Sequence, residues 1–304
     1  MTTNAASTAP GVTVQGLGLL VATSLMWGFN WPLVKYLVAV LPPFSVRAAS
    51  GLIGTALVLA IALARRESLV PPRGQWGRLC LAASLNVTAW MALTTLSLLW
   101  LRASETTILA YTLPIWAALL AWPLLGERPT MRRGVGLVLG LSGIVLLVAH
   151  GSPGESGVAA KLPGVAFALA GSMLFALGTV LAKRAPVAMP PTALVAWQTG
   201  LGLLPLLLLW QLLEQPDFAG LEAKAWAALV YGGALAFGLA YVCWFAALRR
   251  LPASVATIGA LLAPVVGVLA SVALLGDPFG LREIGALALT LGGVALATFA
   301  RSSR

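Results

Sequence analysis

The chain has 304 residues, 60% hydrophobic and 9% charged, with a mean hydropathy of +0.95 and a formal net charge of +10. A soluble domain of this size has no use for so much apolar surface, whereas a lipid-facing protein needs an apolar exterior as well as an apolar core. The surplus of Lys and Arg does not point to nucleic acid, because the basic residues are scattered near helix ends and form no stripe.

Charges divide the chain into ten apolar runs: 1–34, 48–64, 79–101, 106–126, 134–149, 162–182, 185–213, 225–248, 251–276 and 284–300. Most reach or approach the roughly 20 residues that cross a bilayer as a helix. The whole of 1–304 therefore reads as one membrane domain, an all-α integral membrane protein of ten transmembrane helices. Residues 1–13 hold no Lys or Arg, so the first run is expected to be a retained helix and not a signal peptide. Cys80 and Cys243 lie in separate apolar runs, where no disulfide is expected.

In the first helix Trp27 and Asn30 share a face at i, i+3. Pro32 follows and favours a kink by removing a backbone donor. Asn30 is read as lining a cavity, the alternative being that it satisfies the broken backbone. Arg47 comes four residues after Pro43, in the first turn of the second helix. It is read as snorkelling to the outer interface, with binding of a substrate carboxylate as the alternative. The third helix carries the clearest stripe, Asn86, Trp90, Thr94 and Ser97, all on one face. A polar and aromatic face in hydrocarbon looks to a cavity or a neighbouring helix.

The fourth helix aligns Ser104, Thr107, Tyr111 and Pro114, and the ninth aligns Ser254, Thr257, Leu261 and Pro264. Pro114 and Pro264 are candidate hinges, with static packing as the alternative. Glu105 at the start of the fourth helix is expected to cap it. Trp197 and Gln198 on the seventh helix, and Tyr231, Gly238, Tyr241 and Phe245 with the adjacent Trp244 on the eighth, complete the polar and aromatic set. The proposed substrate contacts are thus Trp27, Asn30, Asn86, Trp90, Thr94, Tyr111, Gln198, Tyr241 and Trp244. Rings supply area and a quadrupole, amides and hydroxyls bond amine or carboxylate, and the set suits an amino acid or another small zwitterionic or neutral solute.

Residues 103–148 and 253–298 align without a gap at an offset of 150: Pro114 with Pro264, Leu124-Leu125-Gly126 with Leu274-Leu275-Gly276, Gly143 with Gly293. The first helices of the halves align at an offset of 148, pairing Gly16 with Gly164, Ser24 with Ser172, Lys35 with Lys183 and Pro42-Pro43 with Pro190-Pro191. Two repeats, 14–149 and 162–300, then hold five helices each. An odd number inserts the second half upside down, and inverted repeats are the plan of alternating-access carriers. With the N-terminus cytoplasmic, thirteen of the nineteen Lys and Arg residues fall on the inside, and six fall outside: Lys35, Arg47, Arg102, Lys161, Lys224 and Arg282. The positive-inside rule therefore favours cytoplasmic N- and C-termini.

The order of Leu25-Met26-Trp27-Gly28-Phe29-Asn30-Trp31, Arg47 after Pro42-Pro43, the run Ala103 to Pro114, Leu125-Gly126-Glu127-Arg128-Pro129 and a Gly-rich fifth helix resembles the drug/metabolite transporter superfamily in its EamA-type ten-helix branch. The nearer likeness is to the YddG-like bacterial inner-membrane exporters of aromatic amino acids. The resemblance implies a central cavity lined by helices 1–4 and 6–9, with helices 5 and 10 peripheral. It implies a small-molecule substrate and the lipid bilayer as partners. The small multidrug relatives in that superfamily use a membrane carboxylate in the first helix, and residues 1–34 contain no Asp or Glu, which disfavours proton-coupled efflux of lipophilic cations. One His, two separated Cys and no paired acids leave little for catalysis, no P-loop is present, and no cofactor or metal is expected. A carrier of another small solute, a channel and a membrane-embedded enzyme remain as alternatives; the oligomeric state is open.

Overall fold

The computed structural model describes residues 13–127, 130–148, 158–252, 255 and 259–299. The described residues form the α-helices α1 Val14–Leu37, α2 Pro43–Ala64, α3 Trp76–Ser97, α4 Ala103–Leu125, α5 Met131–Val148, α6 Val158–Arg184, α7 Pro191–Leu213, α8 Ala223–Leu248, α9 Leu262–Leu275 and α10 Leu281–Phe299. Seven of them (α1 to α4 and α6 to α8) are long and apolar enough to cross a membrane. The ends follow local chemistry. Thr13 caps α1 by accepting the Gly16 amide at 3.1 Å. Pro43 and Pro191 open α2 and α7, where a missing N–H costs nothing. Gly126 and Gly276, repeat mates, stop α4 and α9 at φ 74° and 70°, a left-handed cap that a side chain disfavours.

Apolar residues face outward as well as inward. On α1, Leu17, Val21 and Leu25 form an exposed stripe, while Leu20, Ser24, Gly28 and Trp31 are buried on the bundle side. Lipid tails suit that outer stripe and water does not.

Packing repeats itself between the halves. α1 packs on α9 as α6 packs on α4; α1 meets α8 as α6 meets α3; α2 meets α8 as α7 meets α3. The mates α2 and α7, α4 and α9, and α5 and α10 pack on each other. The correspondence holds at residue level. A Cβ on Gly54 would lie 2.6 Å from Phe237 and 2.7 Å from the Gly233 carbonyl; one on its mate Gly202 would lie 2.5 Å from Val87 and 2.8 Å from the Ala83 carbonyl. Only glycine allows backbones this close.

Three mate pairs run antiparallel. Glu214, just past α7, accepts the Phe44 and Ser45 amides at the start of α2 at 2.9 and 2.6 Å. Glu67, just past α2, accepts the Ala193 amide at the start of α7 at 2.8 Å. Each carboxylate meets the positive end of the other helix. Asp277, just past α9, likewise accepts the Ser104 amide at the start of α4 at 3.0 Å. In the third pair, a Cβ on Gly143 would crowd Thr290 and Ala286, and one on Gly293 would crowd Gly136 and Gly140.

Among the described residues four stretches depart from regular α geometry. α3 widens to a π-helix over Ser84–Ala89, and α8 does so over Tyr231–Leu239. α4, read from the sequence as one run, is interrupted at Tyr111–Thr112. The reason lies in Pro114, which has no N–H to give the Ala110 carbonyl. Ser172 of α6 donates to that carbonyl instead, at 2.8 Å, and to Leu109 at 3.2 Å. Its repeat mate Ser24 of α1 donates to the Gly259 carbonyl at 3.3 Å, just before the break at Leu261 and Pro264.

Candidate functional site

The widened stretches of α3 and α8 face a cavity in the middle of the bundle. π-Bulges are rare and concentrate at functional sites. α1 contributes Trp27, Asn30 and Trp31; α2 contributes Arg47; α3 contributes Asn86, Trp90 and Met91; α8 contributes Gly232, Ala236, Phe237 and Tyr241. The space is about 70 Å³. That holds several waters at roughly 10–15 Å³ each and is well below the approximate 300 Å³ at which small-molecule sites begin. A solute needs the walls to part.

Those walls are mostly aromatic. Trp27 meets Tyr241 edge-on at 5.6 Å and Trp244 at 5.8 Å, and its indole N–H donates to the Ala236 carbonyl at 3.1 Å. Trp31 meets Trp90 and Tyr111, each at 6.3 Å, and Trp90 leans on Phe175 at 5.0 Å. Between the rings sit two amides whose Oδ1 atoms are buried without a hydrogen-bond partner among the described residues, Asn30 and Asn86. Asn86 Oδ1 lies against the bare Cα of Gly178, where a Cβ would come within 2.0 Å. Buried polar atoms left unpaired cost stability, so a structure that keeps two of them in one place calls for an explanation in function.

A second cavity, of about 200 Å³, lies between α3, α6 and α7, next to the first along α3. Leu81, Leu85, Gly178, Leu181 and Gln198 line it, together with Arg78 and Arg184 at the helix ends. Gly178 belongs to its lining and Asn86 to that of the first, so their contact is the partition between the two.

Of the residues picked out from the sequence, Trp27, Asn30, Asn86, Trp90 and Tyr241 line the central cavity. Tyr111 and Trp244 stand behind them as ring supports. Thr94 is fully buried and returns its hydroxyl to the Trp90 carbonyl at 2.6 Å, away from the cavity. Gln198 lines the second cavity, and Trp197 beside it donates to the Leu69 carbonyl at 2.7 Å. Pro114 and Pro264 lie just after the interruptions of their helices. Ser254 and Thr257 lie outside the described residues, as do both chain ends. Glu105 caps α4 through the Arg102 amide at 3.0 Å and also pairs with Lys161 at 2.8 Å.

Arg47 requires a correction. It does not snorkel: it is 7% exposed, lines the central cavity and donates its Nε–H to Thr95 Oγ1. The turn that opens α2 aims it across α3 instead of outward. Trp31, Met91, Gly232, Ala236 and Phe237 were also missed. Trp31 sits one turn from Trp27 and carried a readable signal. The α8 residues did not, because the π-helix shifts the face by about one residue from the 3.6-residue spacing.

A model of the EamA-like transporter family matches residues 14–149 and again 162–299. The uncharacterized transporter YvbV of Bacillus subtilis (strain 168) is 28% identical, over 91% of this chain and 90% of its own. The uncharacterized protein PA1977 of Pseudomonas aeruginosa is 34% identical over 82% of each chain. A solved protein crystal structure covers 93% of this chain and 98% of its own at a TM-score of 0.68 and 25% identity.

Proposed function

The chain belongs to the EamA-like transporter family, and from that premise we propose that it is a secondary carrier that exports amino acids, aromatic ones included, across a bacterial inner membrane by alternating access. Membership makes it a multi-pass membrane protein that handles a small solute. The finer reading has ten spans arranged as two inverted repeats, with both termini cytoplasmic. Reciprocal capping of α2 and α7 by Glu214 and Glu67 supports the inversion, since a two-fold axis in the membrane plane makes mates antiparallel.

The observation that carries the solute reading is the central cavity, where α1, α2 and α3 of one half meet α8 of the other around indole rings and two unpaired amides. Rings accept an aromatic or apolar body, and the amides accept its polar end. The second cavity opens the route from the Arg78 and Arg184 end, which the positive-inside rule assigns to the cytoplasm. This conformation is read as inward-facing, with Asn86 against Gly178 as the inner partition.

Counterflow in proteoliposomes tests the reading. Unlabelled L-phenylalanine or L-tryptophan on the far side is expected to accelerate uptake of the labelled amino acid. Flux that ignores the far side belongs to a channel, and acceleration only by sugars or cationic drugs moves the protein to another solute class. Trp90→Ala and Asn30→Ala are expected to lower the flux about tenfold while insertion stays normal, at the ~1–3 kcal/mol that an aromatic contact or a buried hydrogen bond contributes.

A further inference from the structure

We propose that the transported solute carries an anionic head group, a carboxylate, and that Arg47 is the residue that selects it. The inference rests on the central cavity being the solute site and deepens it by naming the charge.

Arg47 is buried, yet among the described residues no Asp or Glu lines either cavity. Glu214, the acid that caps the same helix end, has both oxygens committed to the Phe44 and Ser45 amides and the Ser45 hydroxyl. Nor does α2 itself offset the guanidinium. Arg47 lies in the first turns, at the positive end of the helix dipole, where a cation is disfavoured. A buried charge with neither a carboxylate nor a dipole to balance it is costly.

The donors point the same way. A guanidinium has five N–H groups. Nε–H goes to Thr95 Oγ1, and among the described residues that hydroxyl is the partner Arg47 has. The terminal fork is left to the cavity, and a carboxylate matches it with two parallel hydrogen bonds. The route to the site has the same sign, since Arg78 and Arg184 line the second cavity without an acid among its walls. Convergent positive charge raises the local concentration of anions and repels a simple amine. A zwitterionic amino acid remains admissible, with its carboxylate on Arg47 and its ammonium over the indole faces or on the Asn30 and Asn86 oxygens.

The test measures binding to the purified full chain, by thermal stabilisation, of 3-phenylpropionate, L-phenylalanine, 3-phenylpropanamide and phenethylamine, with hexanoate and hexylamine as the aliphatic pair. The carboxylates are expected to bind about tenfold or more tightly than the amide or the amines, the range for a hydrogen-bonded charge pair. Arg47→Gln is expected to erase that preference, and Arg47→Lys to keep it in weakened form. Equal binding of amine and carboxylate by the wild type overturns the proposal, and this arm needs no variant to fold. Undiminished carboxylate binding by Arg47→Gln overturns it as well. Binding of hexanoate with no phenyl compound bound keeps the charge assignment and removes the aromatic one. Phenyl binding without charge preference does the reverse. No binding by any compound overturns both.

Discussion

Lys35 and Lys183 hold the same place in the two halves of the chain, one at the end of α1 and the other at the end of α6. Their surroundings differ. Lys35 is half-buried and donates to the Leu98 and Leu101 carbonyls that close α3. Around it the Glu105–Lys161 pair is sealed in, with side chains 3% and 10% exposed. Lys183 reaches Glu127 at 2.6 Å with two-thirds of its own side chain in the open. One end of the bundle is therefore locked by buried ionic and carbonyl contacts, and the other is held by a surface pair. Two halves built on one plan sit in two unlike environments. The alternating-access mechanism proposed above would use this difference, because exchanging the environments of the mates moves the opening from one side to the other.

The largest expected effect is at the locked end. Lys161→Ala leaves Glu105 buried without its ion-pair partner, a loss of about 3–5 kcal/mol, read as a marked drop in the unfolding temperature in detergent. A drop no larger than that of a surface variant would mean that this end is not locked by the buried pair. Gly178→Val comes next. Its Cβ has no room beside Asn86 Oδ1, so α3 and α6 are pushed apart at ~1–3 kcal/mol, the usual cost of overpacking. Transport is expected to fall further than stability. Ser172→Ala takes the hydroxyl donor from the Ala110 carbonyl at the break in α4, while Leu109 keeps the Thr112 hydroxyl at 2.6 Å, and is expected to cost ~1–3 kcal/mol. Ser24→Ala, whose single bond is longer at 3.3 Å, is expected to cost less, and the order of the two melting temperatures checks it. Lys183→Ala is the smallest, ~0–1 kcal/mol, because exposed pairs contribute little. A large effect there shows that the open end is as tightly held as the other.

A labelling experiment sharpens the same contrast. With Cys80 and Cys243 replaced, a cysteine at Gln75, which precedes α3 at the open end and accepts the Ala188 amide at 2.9 Å, is expected to react quickly with an impermeant maleimide and one at the buried Ser104 slowly. Saturating solute is expected to reverse the order.

Much of this was legible in the chain. The apolar runs located the helices, and the offsets of 148 and 150 foretold which residues share a role, down to Ser24 with Ser172 and Gly126 with Gly276. The stripe of Asn86 and Trp90 was visible because both face one way even in a widened helix. On α8 only Tyr241 was legible, since π geometry makes Gly232, Ala236 and Phe237 the other facing residues and turns Gly238 toward Leu57. The place of Gln198 was not legible either, since its polar side chain signalled a cavity but not which of two.

Composition and duplication by themselves determined a helical, lipid-compatible chain with two related halves, because spacing of charge and repetition of sequence are one-dimensional facts. Only the folded bundle decided where the charges went. Arg47 reads as an interfacial arginine along the chain and becomes a cavity residue because α2 packs against α8 and α3, which shut it off from solvent. Burial depends on neighbours distant in sequence, and no local pattern encodes it.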